Sequence, residues 1–328
     1  SAVVVPGSGT FGMEAVARQF TNGKKALVIR NGWFSYRWSQ IFEQGNIPSE
    51  EIVLKAQRVD DDPVAPSFAP HPIEDVVATI RAEKPDMVFA PHVETSAGMI
   101  LPDDYIAAVG AAAHEVGALF ALDCIASGTV WVDMQALGVD ILCSAPQKGW
   151  SGPPCAGLVM LSEQAVERMG QTQSTSFSCD LAKWHSIMGA YLNGGHAYHA
   201  TMPTDALRAF RDVVMETKAF GYSEAKMAQQ VLGSRARSLL TQRGFKSVAA
   251  DGFGAPGVTV SYTSDPTIKN GSAFAAQGMQ IAAGVPLQVD EPEGFSTFRL
   301  GLFGLDKLKN VDRTVETLET AIDAITAI

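Results

Sequence analysis

The chain has 328 residues, and its 25 Lys and Arg stand against 35 Asp and Glu, a net charge of −10. That balance excludes a polyanion-binding surface, which needs an excess of cations. Charged residues at 18% and apolar residues at 46% exclude disorder and predict a large core with a subunit interface. The length suits a large α/β domain plus a smaller one.

The chain opens directly on a buried strand, Ala2-Val3-Val4-Val5. The expectation is a native chain that begins earlier, with an N-terminal segment ahead of Ser1. Short apolar runs recur at 3–5, 26–29, 52–54, 87–90, 119–122, 141–143 and 158–161, with helical patterns at 13–20, 73–82 and 105–116 between them. This alternation predicts a largely parallel sheet covered on both faces, with ligands beyond the carboxyl ends of its strands. No run approaches the roughly 18 apolar residues of a membrane span, and a soluble cytoplasmic protein is expected. The four cysteines (124, 143, 155, 179) include no CxxC pair and read as buried thiols.

Gly7-Ser8-Gly9-Thr10-Phe11-Gly12 joins the first strand to a helix. Backbone N–H groups there suit an anion. The spacing also matches a dinucleotide fingerprint, but the second strand ends Ile29-Arg30-Asn31-Gly32 without the acidic residue that a ribose needs. A single phosphate is the better functional reading, beside a plain Gly-rich turn. In Asn31-Gly32-Trp33-Phe34-Ser35-Tyr36-Arg37, two aromatics could stack on a planar ring or simply pack under a loop.

Asp123 ends the run Leu119-Phe120-Ala121-Leu122. Its carboxylate must meet a cation, a protonated heterocycle or several N–H donors, or else cap the next loop. Lys148 follows a buried strand and precedes Gly149-Trp150-Ser151-Gly152-Pro153-Pro154. Desolvation there would make its amine nucleophilic toward carbonyls, and a structural ion pair is the alternative. His196 and His199 are three apart with no third ligand nearby, so no metal site is expected. A domain boundary is expected near residue 205, giving units 1–205 and 206–328. Beyond it come a helical stretch over 204–243 with Thr204 as N-cap, strands at 258–262 and 297–302, and a helix from about Val311. Arg299 lies in an apolar strand and needs a carboxylate, internal or from a substrate.

The order of these motifs resembles the class V aminotransferases of the alanine–glyoxylate and serine–pyruvate (serine–glyoxylate) group, over essentially the whole chain. Gly-Ser-Gly-Thr is followed by Asn-Gly-x-Phe and His92-Val93-Glu94-Thr95-Ser96-Ala97-Gly98. Then come Asp123, Ser-x-x-Gln-Lys at 144–148, Tyr-His-x-Thr-x-Pro at 198–203 and Phe-Arg-Leu-Gly at 298–301. The resemblance implies the aspartate-aminotransferase-like fold type I, an α/β architecture with a large mostly parallel sheet domain and a smaller C-terminal α/β domain. It also implies pyridoxal 5'-phosphate (PLP) and a homodimer with active sites at the interface.

By the same resemblance, Lys148 would form the Schiff base with PLP, Asp123 would pair with the pyridine nitrogen, and Phe34 would stack on the ring, with Trp33 as the neighbour if the register slips. Thr95 would bond near the phenolic oxygen or the substrate, and Ile125 would join the cofactor-binding set. Ser8, Gly9, Thr10 and Gln147 would hold the phosphate, with Tyr198 and Thr201 reaching over from the other subunit. Arg299 would clamp the substrate carboxylate. The expected reaction is ping-pong amino transfer from a serine- or alanine-like donor to glyoxylate or pyruvate. The N-terminal arm of such enzymes is expected ahead of Ser1.

The sequence departs from the family's pattern at Ala145-Pro146, where Gly-Ser is common, and at Thr10 and Ala97. These leave the substrate open. A desulfurase is disfavoured, because Gln147 and not His precedes Lys148 and no Cys follows Cys179. A 2-aminoethylphosphonate or phosphoserine transaminase needs extra cations, for which Arg37, His196 and His199 are the candidates. An aspartate transaminase or a PLP-dependent lyase also remains open. A binding protein that has lost its activity is disfavoured by the intact Lys148, Asp123 and Arg299.

Overall fold

The computed structural model describes residues 1–327. Seven strands form one sheet in the order Ala2–Pro6, Ala156–Leu161, Ile141–Ser144, Leu119–Asp123, Met87–Pro91, Lys25–Arg30 and Glu50–Lys55. Ala156–Leu161 runs antiparallel to both its neighbours, and the other pairs are parallel. All seven predicted apolar runs lie in these strands. Successive residues serve opposite faces: Val28 and Phe89 pack with Trp38, Phe42 and Trp184, while Leu27 and Val88 pack with Ile80, Ile106 and Val109. Burial on both faces is why the inner strands read as continuous apolar runs.

Three features of the sequence reading are corrected. The aromatic segment after the second strand is a helix, Trp33–Gly45, and not only a turn. Thr204 is the first residue of a helix, Thr204–Phe220; Pro203 takes the capping position, where its carbonyl accepts the Leu207 N–H at 3.0 Å. The helical stretch over 204–243 is two helices, Thr204–Phe220 and Tyr222–Gln242, divided at Gly221, whose φ of 104° no helix accepts.

A three-stranded antiparallel sheet follows, in the order Val258–Tyr262, Thr297–Gly301, Ala282–Ala283. The helix Val311–Thr326 packs on Tyr222–Gln242 through Leu318 and Ile322 against Leu232 and Leu239. A further apolar cluster joins Val93, Ala97 and Met99 to Val258, Val260 and Leu287. Arg299 is opposite Val260 in the strand pair, so this cluster sets it beside the segment that carries Thr95.

Candidate active site

The site begins where the first strand meets the helix Gly9–Phe20. Gly12 packs directly on Gly157: a Cβ on Gly157 would fall 2.6 Å from the Gly12 nitrogen. This brings the helix's first turn down onto the sheet edge. A Cβ on Gly9 would fall 2.6 Å from Ile125 Cδ1, so Gly9 and Ile125 are in close contact. Ser8 holds the capping position, yet its hydroxyl makes no capping bond. The Phe11 and Gly12 N–H groups donate to the Ser8 carbonyl at 3.0 and 3.3 Å, which leaves those of Gly9 and Thr10 without an acceptor among the described residues.

The Trp33–Gly45 helix is started from across the sheet. Glu94 is fully buried and accepts the N–H groups of Phe34 (3.2 Å), Ser35 (2.8 Å) and Ser96 (3.1 Å), together with the hydroxyls of Ser35 and Ser96. Ser96 in turn accepts the Trp33 N–H at 2.9 Å. A Cβ on Gly32 would fall 2.1 Å from Ser96 Oγ, so the turn needs glycine. No role was read for Glu94 from sequence; the available signal was a carboxylate in an apolar segment followed by two hydroxyl residues.

Asp123 ends the strand Leu119–Asp123 and is buried. Its Oδ1 accepts the Ile125 N–H at 2.9 Å. Burial pushes its pKa up to about 7 against the pull of that N–H; Glu94 adds to the rise, and Arg37 and Lys148 oppose it. Lys148 stands in the loop after Ile141–Ser144. The loop is pressed onto Gly128, whose oxygen would lie 2.4 Å from a Cβ on Gly149. Burial lowers the Lys148 amine, Arg299 and Arg37 lower it further, and Asp123 opposes them.

One cavity of about 230 Å³ collects Ser8, Gly9, Thr10, Phe34, Thr95, Asp123, Ile125, Gln147 and Lys148, with Arg37 among its other lining residues. Arg37 Nη1 donates to Thr10 Oγ1 at 3.1 Å. The guanidinium carbons of Arg37 and Arg299 lie 5.4 and 5.7 Å from the centre of the Phe34 ring. Among the described residues neither arginine has an ion-pair partner. Arg299 Nε donates to the Ala283 carbonyl at 2.8 Å.

Trp33 does not line the cavity; its ring packs at 5.8 Å on Tyr36. Tyr198 and Thr201 are exposed and also lie off the cavity of this chain. His199 meets the Phe177 carbonyl at 2.8 Å. Among the described residues no group of three or more His, Cys, Asp or Glu side chains could hold a metal ion. The four cysteines are free and buried. No helix among the described residues is long and apolar enough to cross a membrane.

These donors fit PLP. Asp123 offers a buried carboxylate to a ring N–H, and Gln147 lines the same cavity with a side-chain NH₂ that has no acceptor among the described residues and is left to donate to a phosphate. The Lys148 amine has no hydrogen-bond or ion-pair partner among the described residues, while the Lys148 carbonyl accepts the Ser151 N–H at 2.9 Å. Ser8, Gly9 and Thr10 supply a helix N-terminus for a phosphate.

The chain is similar in sequence and in fold to known proteins. The family model for class V aminotransferases matches residues 8–265. A 2-aminoethylphosphonate–pyruvate transaminase of Vibrio vulnificus is 29% identical over 336 residues, covering 98% of this chain and 83% of that protein. A bifunctional phosphonoacetaldehyde hydrolase/aminoethylphosphonate transaminase of Clostridioides difficile is 25% identical over 98% of this chain and 48% of its own length. Among solved structures, an alanine–glyoxylate aminotransferase of Nostoc superposes with a TM-score of 0.79 at 22% identity, covering 98% of this chain and 81% of that one. An aspartate aminotransferase of Thermus thermophilus gives 0.77 at 25% identity, covering 99% and 85%.

Proposed function

The chain belongs to the class V aminotransferases, which depend on PLP, and from that premise we propose that it moves an amino group from a small serine- or alanine-like donor to glyoxylate or pyruvate. One observation carries the reading. A half-buried Lys148 amine and a buried Asp123 carboxylate line a single cavity that also holds the Ser8-Gly9-Thr10 turn.

When bound, the cofactor supplies an electron sink for the pair left behind when the substrate Cα–H bond breaks. The residues of the chain do the rest. Lys148, held with a lowered pKa, would take the Cα proton as general base and give it up again as general acid. Asp123, ionised against a ring N–H, keeps that proton on nitrogen. Phe34 offers a flat face, and Thr95 a hydroxyl beside it. Ser8, Gly9, Thr10 and Gln147 orient the phosphate. Arg299 takes the acidic group shared by donor and acceptor. The donor leaves as an oxo compound before the acceptor enters, so the kinetics are ping-pong.

The exposed Phe177, Tyr191, Leu192 and Tyr198 suit a homodimer interface across which Tyr198 and Thr201 complete the partner's phosphate site. Four buried free thiols suit the reducing cytoplasm. A boundary near residue 205 divides the large domain from the smaller one.

A second reading takes 2-aminoethylphosphonate as donor. It is favoured by the names of the curated relatives and by the unpaired Arg299, which could take a phosphonate in place of a carboxylate.

Borohydride reduction of the holoenzyme should fix PLP to Lys148, and Lys148→Ala should lose about 10²–10⁴-fold in turnover. Label on another lysine would overturn the assignment. Serine, alanine, aspartate and 2-aminoethylphosphonate, each offered without acceptor and followed by absorbance, should separate the two donor readings. If none converts the bound cofactor, transamination is the wrong reaction.

A further inference from the structure

We propose that Arg37 is a ligand for the phosphate group of the cofactor, which leaves Arg299 as the one free guanidinium over the Phe34 ring among the described residues and limits donors and acceptors to a single acidic group. This rests on the reading of the cavity as the PLP site.

The argument starts from the helix Trp33–Gly45. Phe34 and Arg37 are three apart on it and therefore share a face. Arg37 lines the cavity, and its Nη1 donates to Thr10 Oγ1 at 3.1 Å. Thr10 belongs to the first turn of the helix Gly9–Phe20, where an anion would sit. The Arg37 N–H occupies a lone pair of the Thr10 oxygen, so the hydroxyl proton is left to donate. Arg37 keeps four further N–H groups in a planar fork, and among the described residues none has an acceptor.

Charge favours the same assignment. A phosphate monoester carries about −1.5 to −2 near neutral pH, and a helix N-terminus supplies only about +0.5. The guanidinium bonded to Thr10 supplies the missing cation. Arg299 is placed differently. It lies on the strand Thr297–Gly301, is not among the residues that line the cavity, and is anchored through Nε to the Ala283 carbonyl at 2.8 Å. Its remaining N–H groups suit one carboxylate or one phosphonate. With Arg37 committed to the cofactor, a second substrate anion would meet no free guanidinium.

The test compares PLP with pyridoxal, which lacks the phosphate. The holoenzyme is stripped of PLP, and each compound is titrated back while tryptophan fluorescence is read. In Arg37→Met the preference for PLP over pyridoxal should shrink about tenfold or more. Inorganic phosphate should compete with PLP in the parent protein and lose that power in the variant. Arg37→Lys, which keeps the charge and loses the fork, should fall between the two and serves if the methionine variant does not fold.

Equal weakening of PLP and pyridoxal would show that Arg37 only shapes the site, and would overturn the proposal. So would an unchanged ratio accompanied by a raised KM for aspartate alone, because Arg37 would then face the substrate. Failure of every donor to react would strike the transamination reading and leave the binding ratio as a valid measurement.

Discussion

Glu94 accepts the backbone N–H of Phe34 at 3.2 Å, so a carboxylate on one segment sets the start of the helix that carries the ring facing the site. The same carboxylate holds Ser35 and Ser96, and Thr95 stands in the chain between Glu94 and Ser96. The position of the aromatic face and that of the neighbouring hydroxyl therefore depend on one buried group.

Glu94→Gln should uncouple them. The amide NH₂ would oppose N–H groups that now donate to the carboxylate, leaving buried donors unsatisfied. The expected loss is about 1–3 kcal/mol in urea unfolding of the PLP-free protein, together with weaker PLP binding. An unchanged unfolding midpoint would remove Glu94 from this role.

Asp123 and His92 should give opposite pH dependences in the PLP-free protein. Asp123 titrates near 7 when folded against 3.8 in the free side chain, because it is buried. Between those values the folded state holds the extra proton, so this contribution declines as pH rises. His92 is also buried, with the Lys226 charge a smaller influence, and falls to about 4 from 6.5. There the unfolded chain holds the extra proton, so this contribution is lost as pH falls. Between about pH 4 and pH 7, Asp123→Asn should steepen the loss of stability in acid, and His92→Gln should flatten or reverse it. Equal slopes in the two variants would contradict both assignments.

Arg299→Met should lower kcat/KM about 10–100-fold for any donor with an acidic group. The loss should appear chiefly in KM, because the interaction holds the bound substrate before and during proton transfer. Steady-state kinetics over donor concentration separates the two parameters. A fall in kcat alone would place Arg299 on the reacting atoms.

Gly157→Ala should disturb the phosphate turn from the far side of its helix. The new Cβ would meet the Gly12 nitrogen at 2.6 Å and its Cα at 2.7 Å, both backbone atoms that cannot rotate away. The helix must move, at a cost of about 1–3 kcal/mol. Tm and PLP affinity should fall together. A normal Tm with normal PLP affinity would show that the packing is looser than these distances.

The inner strands were legible because a strand covered on both faces needs apolar residues at every position, and that pattern is local; the edge strand Glu50–Lys55 is only half-buried and showed a shorter run. Asp123 and Lys148 were legible for a related reason: a charged residue at the end of such a run must have a partner or a task. The Trp33–Gly45 helix was less so. Its start has a glycine cap without a capping side chain of its own, and the carboxylate that organises its first turn lies far along the chain. The break at Gly221 was missed because a single glycine inside a helical pattern does not announce its φ.

By itself, then, the sequence determined the alternating α/β order and the residue types that lie at the strand ends, since these follow from burial and periodicity along the chain. Only the tertiary structure decided that Glu94 starts the helix of Phe34, that Arg37 bonds to Thr10, and that Arg299 is anchored on Ala283 while facing Phe34. Each of those joins residues on different elements at hydrogen-bond or ring-contact range. Such distances are set by how the sheet and its covering helices pack, which no local pattern records.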